Sequence, residues 1–380
     1  MCQENCPYEK RCGACRIGQG TYEEGLAEKQ RRVQKGIGKY CRVNKIQGMY
    51  YPFHYRNKVH AVFGRMKNAA VAGTYAEGTH ELVPIKDCLI EDAQASAIVQ
   101  TVTELINSFK IWVYNEDTGR GIMRHILIRK GMSTKQIMVV LVTACAEFPH
   151  KNNFVSQLRS RHPEITTIVQ NVNDQQTTMV LGDRNKTLYG AGYIEDVLCG
   201  LRFRISPNSF YQVNAAQTQA LYKKAIQTAA LTGSETVIDA YCGIGTIGMA
   251  MASKAGQVIG VELNKQAVKD ARENAKRNNI GNIRFIAADA TEYMTEMSEN
   301  SMRADVIVLD PPRHGSTEEF VHAAAAVAPS RIVYVSCNPE TLERDLEWFK
   351  KAGYKAKEAW PVDMFPFTDA VEVVTVLYRS

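Results

Sequence analysis

The stretch of sequence that decides the fold is ETVIDAYCGIGTIG, residues 235–248. It begins with an apolar run of the kind that forms a buried parallel strand. It continues through Gly243, Gly245 and Gly248 into small and apolar residues that favour a helix. A strand, a glycine loop and a helix in this order are typical of a Rossmann-like α/β domain, but the glycine spacing alone fits a dinucleotide as well as a nucleoside.

Carboxylates accompany the strand-like runs that surround this loop. Asp239 precedes the glycines, and Glu262, Asp289 and Asp310 follow three later apolar runs. Glu262 is placed to accept both hydroxyls of a ribose, and Asp289 to accept from an adenine amino group. Asp239 would repel a pyrophosphate but suits the cationic sulfonium and ammonium of S-adenosylmethionine. The pattern favours a class I methyltransferase over an NAD-dependent oxidoreductase.

A cysteine follows a further strand-like run. The run RIVYV, residues 331–335, is followed by SCNP, residues 336–339, which contains Cys337. Ligands of open α/β sheets bind beyond the carboxyl ends of the strands, so this thiol is delivered toward a ligand. The tetrapeptide alone leaves open a buried structural cysteine, because free cysteines are among the most buried residues.

Five motifs in the C-terminal half give the chain a specific resemblance. It resembles the RNA uracil-5-methyltransferase family, and within it most closely the bacterial iron–sulfur 23S ribosomal RNA enzymes. The motifs are SPNSFYQVN at 206–214, DAYCG at 239–243, DPPR at 310–313, SCNP at 336–339 and DMFP at 363–366 followed by Glu372.

The resemblance implies methyl transfer from S-adenosylmethionine to carbon 5 of a specific uridine in 23S ribosomal RNA. It implies that Cys337 adds to carbon 6 of the base and that Glu372 removes the proton from carbon 5. Without it, Glu372 between Val371 and Val373 reads as a solvent-facing strand residue. The residues that the resemblance places around the cofactor and the target base are Gln212, Tyr241, Glu262, Asp289 and Asp310.

The chain departs from the family pattern in two respects. Ala370 stands two residues before Glu372, where family members commonly have a histidine that would position groups or handle protons. The first cysteines come almost at once, so we expect no small RNA-binding barrel before them. Arg313 could hold a phosphate or the base, and the sequence does not separate these roles.

The N-terminal cysteines form a C-x5-C-x2-C pattern. Cys6, Cys12 and Cys15 make up the pattern, and Cys88 is a distant fourth candidate. Four thiolates suit a [4Fe–4S] cluster or a zinc ion, and the spacing alone does not choose between them. The resemblance implies the cluster and favours Cys6 as ligand, with Cys2 as the alternative.

Composition adds the expected surroundings of the protein. The chain has 380 residues, ten cysteines and a net charge of +6. Ten cysteines with no signal peptide predict a reducing cytoplasm instead of a disulfide framework, and no apolar run approaches a membrane span. Basic residues before residue 205, interleaved with aromatic residues at 51–55, favour binding to an RNA backbone and to splayed bases. We expect a monomer.

The length predicts two domains of α/β class. Residues 1–205 would form a central α/β domain with the iron–sulfur loop and the RNA-binding surface, and residues 206–380 the Rossmann-like methyltransferase domain. An amphipathic helix at about 20–40 would pack on the catalytic domain, as the resemblance implies. Within the central domain, we expect residues 171–176 and 182–186 to lie in a hairpin or loop.

Three alternatives remain open from the sequence. The first is a tRNA uridine-5-methyltransferase, and the second is a non-catalytic RNA-binding relative, which Ala370 favours weakly and an intact Cys337 and Glu372 disfavour. The third is the NAD-dependent oxidoreductase, which the charge of Asp239 disfavours.

Overall fold

The computed structural model describes residues 6–176 and 179–380. Cys2, the alternative cluster ligand, lies outside the described residues. The chain divides into two compact units. The first unit contains residues up to 21, residues 51–197 and residues 204–208, and the second contains residues 22–50, 198–203 and 209–380.

Helices and strands alternate from α5 to α10, whereas several strands follow one another directly in the first half of the described chain. The helices are α1 (Glu9–Cys12), α2 (Tyr22–Ile37), α3 (Ala93–Ser108), α4 (Lys151–Arg161), α5 (Ala215–Ala229), α6 (Thr246–Ala252), α7 (Lys265–Arg277), α8 (Ala290–Glu299), α9 (Glu318–Ala326) and α10 (Pro339–Lys351). The strands are β1 (Arg42–Val43), β2 (Lys58–Met66), β3 (Ala69–Tyr75), β4 (Leu82–Pro84), β5 (Met123–Lys130), β6 (Ile137–Thr143), β7 (Ile165–Val172), β8 (Arg184–Tyr189), β9 (Ile194–Leu198), β10 (Leu201–Ile205), β11 (Thr236–Ala240), β12 (Gln257–Glu262), β13 (Ile283–Ala287), β14 (Val306–Leu309), β15 (Arg331–Ser336), β16 (Tyr354–Val362) and β17 (Glu372–Arg379).

The second unit contains an eight-stranded sheet in the order β1-β16-β17-β15-β14-β11-β12-β13. Strands β11 to β15 are parallel to one another. Strand β17 lies between β15 and β16 and is antiparallel to both. Successive connections lead from β11 outward to β12 and β13, and then return to β14 on the other side of β11. This reversal of strand order opens a crevice at the carboxyl ends of β11 and β14, which is where α/β sheets bind ligands.

Helices cover both faces of this sheet. One apolar cluster packs α2, α8, α9 and α10 against strand residues such as Ile238 and Tyr334. Val237 precedes Ile238 in β11, so its side chain lies on the opposite face of the sheet, and it is also fully buried. Helices α5, α6 and α7 contact the strands as well. A parallel sheet with helices on both faces is the doubly wound α/β architecture, so the predicted fold class is confirmed.

Helix α2 belongs to the second unit although it lies near the start of the chain. Leu26, Val33 and Ile37 recur at helical spacing, and Val33 and Ile37 are fully buried in the apolar cluster of that unit. The division of the chain therefore differs from a single boundary at residue 205, because residues 22–50 supply part of the core around the second sheet.

The first unit has a seven-stranded sheet in the order β4-β3-β2-β5-β6-β7-β8. Its strands are antiparallel except for the parallel pair β6 and β7. Helices α3 and α4 pack on one face through an apolar cluster that includes Ile98, Leu105 and Phe154. Strand β7 ends at Val172 and pairs antiparallel with β8, which begins at Arg184, so the stretches expected in a hairpin or loop at 171–176 and 182–186 fall at the two ends of the connection between these strands.

No helix within residues 6–176 and 179–380 combines the length and the apolar character needed to cross a bilayer.

Candidate active site

The glycine loop of the second unit connects β11 to α6. Tyr241, Gly243 and Gly245 all have positive φ angles, of 63°, 55° and 79°. A Cβ atom on Gly245 would lie 2.6 Å from the ring of Phe285, so this position accepts only glycine without a rearrangement. The loop therefore turns sharply at the carboxyl end of β11, where the strand order reverses.

Asp239 supports this loop from within β11. Its Oδ2 accepts a hydrogen bond of 2.8 Å from the backbone N–H of Gly248, in the first turn of α6. Burial raises the pKa of Asp239 to about 7, and the charges of Asp310 and Glu262 add to the shift. The carboxylate that the sequence assigned to a cofactor cation thus also holds the glycine loop in place.

Glu262 supports the same loop from the end of β12. Its Oε2 accepts from the backbone N–H of Gly243 at 3.0 Å, and its Oε1 accepts from that of Asn264 at 2.8 Å. The side chain is half-buried. Both oxygens are thereby oriented at the strand end, in the position where a carboxylate of a Rossmann-like fold receives a ribose.

The other predicted cofactor residues lie on different elements. Tyr241 packs its ring on Phe320, with the ring centroids 5.5 Å apart. Asp289 begins α8 as its N-cap, because Oδ1 accepts from the N–H groups of Thr291 and Glu292. Gln212 is buried and lies in the segment between β10 and α5, not at the end of a strand of the large sheet.

Cys337 lies in the turn between β15 and α10. Ser336 and Asn338 shape this turn, since the Ser336 hydroxyl donates to the Asn338 carbonyl and the Asn338 side chain caps α10. The Asn338 side chain also donates to the carbonyl of Arg313 at 3.2 Å. The SCNP and DPPR motifs are thereby joined, while the Arg313 side chain is exposed.

Glu372 is the first residue of β17 and lies next to this turn. Strand β17 pairs with β15 so that Val373 is opposite Ser336, which places Glu372 beside Cys337. The Glu372 side chain is only 3% exposed, so it is not the solvent-facing residue that the local sequence favours.

Three acidic groups meet at this point. Burial raises the pKa of the Cys337 thiol to about 11, and the carboxylates of Glu372 and Asp310 add to the shift. Burial also raises the pKa of Glu372, with a further contribution from Asp310, and it raises the pKa of Asp310 itself. The predicted nucleophile, the predicted base and one predicted cofactor residue thus interact with one another, with Glu372 buried and Cys337 and Asp310 half-buried.

Two carboxylate oxygens of the site have unsatisfied hydrogen-bonding capacity. Within the described parts of the chain, Asp239 Oδ1 and Glu372 Oε2 are buried and accept no hydrogen bond. Leaving such an acceptor unpaired costs about 1–3 kcal/mol or more when it is charged. Both atoms therefore fit a bound donor or a cation.

A contact that the sequence did not predict joins α2 to the segment between β16 and β17, which precedes Glu372. The Nζ atom of Lys29 in α2 donates to Asp363 Oδ1 at 2.5 Å, and both side chains are almost fully buried. The only local signal is that Tyr22 and Lys29 share the face of α2 that carries Leu26 and Val33.

The four predicted cluster ligands, Cys6, Cys12, Cys15 and Cys88, lie near one another in the first unit. All four are free and half-buried, and electrostatic interactions link Cys12 and Cys15 to Cys6, and Cys88 to Cys15. The backbone N–H of Lys86 donates to the Tyr8 hydroxyl at 3.2 Å, which ties the N-terminal segment to the segment before Cys88.

The same thiols are not arranged as a formed metal site. Among residues 6–176 and 179–380, no group of three or more His, Cys, Asp or Glu side chains is placed to hold a metal ion. The donor types fit an iron–sulfur cluster, but the coordination geometry is not present.

Known proteins resemble the chain along most of its length. The model of the tRNA (uracil-5-)-methyltransferase family matches residues 167–380. An uncharacterized RNA methyltransferase of Halalkalibacterium halodurans is 41% identical over 377 residues, which cover 98% of this chain and 82% of that protein. A second, from Listeria innocua, is 43% identical over 376 residues, covering 98% of this chain and 83% of that protein.

A solved structure is similar over both units. The tRNA (uracil-54, C5)-methyltransferase of Pyrococcus abyssi, in complex with S-adenosyl-L-homocysteine, has a TM-score of 0.80 and 27% sequence identity. The similarity covers 98% of this chain and 87% of that one. Together with the crevice at β11 and β14 and its buried acidic groups, these findings confirm the resemblance: the chain belongs to the RNA uracil-5-methyltransferase family, whose enzymes take their methyl group from S-adenosylmethionine.

Proposed function

We propose that this protein transfers a methyl group from S-adenosylmethionine to carbon 5 of a uridine in 23S ribosomal RNA, through a covalent bond between Cys337 and the base. The observation that carries the proposal is the placement of Cys337 beside Glu372, with Asp310 close enough to raise the pKa values of both. A half-buried thiol next to a buried carboxylate suits a reaction in which the thiol adds to the uracil ring and the carboxylate removes a proton from it.

The unsatisfied carboxylate oxygens support S-adenosylmethionine as the methyl donor. Burial raises the pKa of Asp239, and the charges of Asp310 and Glu262 add to the shift, so a cation beside Asp239 is favoured. The sulfonium and ammonium groups of the methyl donor are cations, and Asp239 Oδ1 is a buried acceptor without a donor in the described chain. Glu262 and Asp289 would hold the ribose and the adenine, and Gln212 and Tyr241 would complete the pocket.

The reaction follows from what carbon 5 of uracil requires. The Cys337 thiolate adds to carbon 6, which moves electron density onto carbon 5. Carbon 5 then takes the methyl group that S-adenosylmethionine supplies. Glu372 accepts the proton of carbon 5, the bond between sulfur and carbon 6 breaks, and the Cys337 thiolate and the methylated base are released.

The raised pKa of Cys337 sets a condition on this sequence. With a pKa of about 11, the thiol is protonated near neutral pH. A cation bound among the carboxylates lowers the pKa of a neighbouring thiol, because it favours the charged form. The methyl donor would therefore help to form the nucleophile by binding, before any methyl transfer.

The N-terminal cysteines support ribosomal RNA as the target. Cys6, Cys12 and Cys15 have the spacing that the resemblance connects to the ribosomal RNA members of the family, with Cys88 as the distant fourth ligand. The resemblance implies that the tRNA members lack this spacing. We propose that the four thiolates bind a [4Fe–4S] cluster that fixes the N-terminal segment. Transfer RNA is the second candidate target, since the structurally similar Pyrococcus abyssi enzyme is a tRNA (uracil-54, C5)-methyltransferase.

Replacing the nucleophile tests the covalent step. We expect Cys337→Ala to abolish methyl transfer while binding S-adenosylmethionine nearly as well as the unchanged protein, because the thiol acts on the base. The unchanged protein should form a denaturation-resistant adduct with RNA containing 5-fluorouridine, since fluorine cannot leave as a proton. Cys41→Ala removes a buried thiol of the same unit and should behave like the unchanged protein. Turnover of normal RNA without any adduct on the fluorinated RNA would contradict the thiolate mechanism.

Replacing the base should separate the two halves of the reaction. In Glu372→Gln, Cys337 still attacks and the methyl group is still transferred, but release slows by about a hundredfold to ten-thousandfold. A denaturing gel with labelled RNA and S-adenosylmethionine should show a methylated covalent complex. Glu319→Gln, an exposed glutamate of α9, is the matched control. Near-normal turnover, or a block before methyl transfer, would place the base elsewhere.

Iron analysis tests the cluster. Anaerobically purified protein should be brown and contain about four iron atoms per chain. Cys12→Ser, Cys15→Ser or Cys88→Ser should lose the iron, whereas Cys145→Ser, a half-buried thiol of the same unit, should keep it. Colourless protein with about one zinc per chain would exclude the cluster.

Two more variants test whether Cys6 or Cys2 is a ligand of the cluster. Loss of iron in Cys6→Ser with retention in Cys2→Ser is the expected result, and the reverse would overturn the assignment of Cys6.

Mapping 5-methyluridine in a strain without this gene identifies the target. We expect a uridine of 23S ribosomal RNA to lose its methyl group while transfer RNA keeps its own, and re-expression of the unchanged protein, but not of Cys337→Ala, to restore it. Loss of 5-methyluridine from transfer RNA alone would favour the second candidate.

A further inference from the structure

The loop that precedes Glu372 joins β16 to β17. Val362, the last residue of β16, is the register partner of Glu372, the first residue of β17. Residues 363–371 close this turn, so their conformation determines where the Glu372 side chain begins. Ala370 lies in this loop and has no polar side chain with which to contact Glu372.

The side chain of Asp363 anchors this loop to α2. It is fully buried, and it accepts from Lys29 Nζ at 2.5 Å on Oδ1 and from the Tyr22 hydroxyl at 2.6 Å on Oδ2. Lys29 also donates to the carbonyl of Phe365 at 3.0 Å. Tyr22 and Lys29 are seven residues apart on α2 and therefore lie on one face of the helix.

Helix α5 holds the same loop through its first turn. Gln217 Nε2 donates to the carbonyl of Asp363 at 2.9 Å, and Asn214 Nδ2 donates to that of Met364 at 3.0 Å. The ring of Phe367, which has a positive φ of 62°, packs against the ring of Tyr22 with the centroids 5.4 Å apart. The loop is thus bonded along much of its length, and α2 contributes the buried ion pair between Lys29 and Asp363.

Stability alone gives little reason for this ion pair. Burial lowers the pKa of Lys29, while the charge of Asp363 opposes the shift. The cost of removing two charges from water often equals or exceeds their attraction, so apolar side chains of similar volume would stabilise the core as well. The charged pair instead fixes the position of the loop, because the hydrogen bonds of Lys29 hold Asp363 and Phe365 relative to α2.

From these contacts we infer that Lys29 and Asp363 are positioning residues for Glu372, and that α2 is therefore part of the catalytic machinery. The inference rests on the proposed function, which gives Glu372 the task of removing the proton from carbon 5. The pair holds the loop in the one conformation that presents the Glu372 carboxylate beside Cys337. Addition of the thiolate and methyl transfer do not depend on it, whereas proton removal does.

A neutral pair of similar volume tests this role. In Lys29→Met/Asp363→Asn, we expect the methylated covalent complex to form at a rate within about twofold of the unchanged protein. Its release should be slower by about tenfold to a hundredfold, because a small displacement of a catalytic group has effects of this size. Single-turnover experiments with labelled RNA and S-adenosylmethionine, quenched into denaturant, measure both steps on one gel. The KM values for both substrates should stay unchanged.

Three further variants complete the design. Lys29→Arg keeps the charge and the donors and should restore most of the release rate, which a purely structural role would not require. Tyr22→Phe removes one hydrogen bond from Asp363 and should slow release in the same direction by a smaller factor. Lys39→Met is the matched control, since it breaks an exposed ion pair of 2.7 Å between Lys39 and Glu343 that does not touch the loop.

The outcomes separate this inference from the proposed function. A double variant that releases product at the normal rate, or that slows complex formation and release equally, overturns the positioning role. If the double variant does not fold, Tyr22→Phe decides, and a normal ratio of complex to released product in that variant overturns the role as well. If Glu372→Gln forms no methylated complex and the unchanged protein forms no adduct with fluorinated RNA, the proposed function itself fails.

Discussion

The reversal of strand order between β11 and β14 is the constraint on which the site depends. Parallel strands end at the same edge of a sheet, so every side chain placed just after a strand arrives at one edge, and the reversal leaves that edge uncovered by a connection. Asp239, Glu262 and Asp310 reach this edge from three separate strands, and Cys337 follows a fourth. Chemistry that needs several groups in one place is thus assembled from residues nearly a hundred positions apart.

Such an arrangement concentrates negative charge, and the protein bears an electrostatic cost for it. Burial raises the pKa values of Asp239, Asp310 and Glu372, and the charge of Asp310 adds to the shifts of the other two. Part of the cost is offset locally, because the N–H of Gly248 donates to Asp239. The remainder is relieved when a cation binds. The same groups that destabilise the ligand-free site therefore favour a positively charged methyl donor.

Helix α2 shows that the second unit is not a contiguous piece of sequence. Its apolar face fills the core next to α10, and its two polar residues on that face, Tyr22 and Lys29, reach the loop before Glu372. A helix from the start of the chain thereby stabilises the unit and orients the loop at once. Its ion pair with Asp363 spans 334 positions, which links α2 to the loop before the last strand.

The α/β class, the strand, glycine loop and helix, and the order of the acids could all be predicted from the sequence, because they follow from local periodicity and from the turns that glycine permits. The sequence also placed Cys337 after a buried strand. Only the tertiary structure decided that Asp239 and Asp289 bond to the first turns of helices, that Glu372 is buried, and that Lys29 meets Asp363. A periodic pattern in the sequence reports only which face of a helix or strand is apolar. Burial, hydrogen bonds and ion pairs depend on which elements from distant parts of the chain pack against that face.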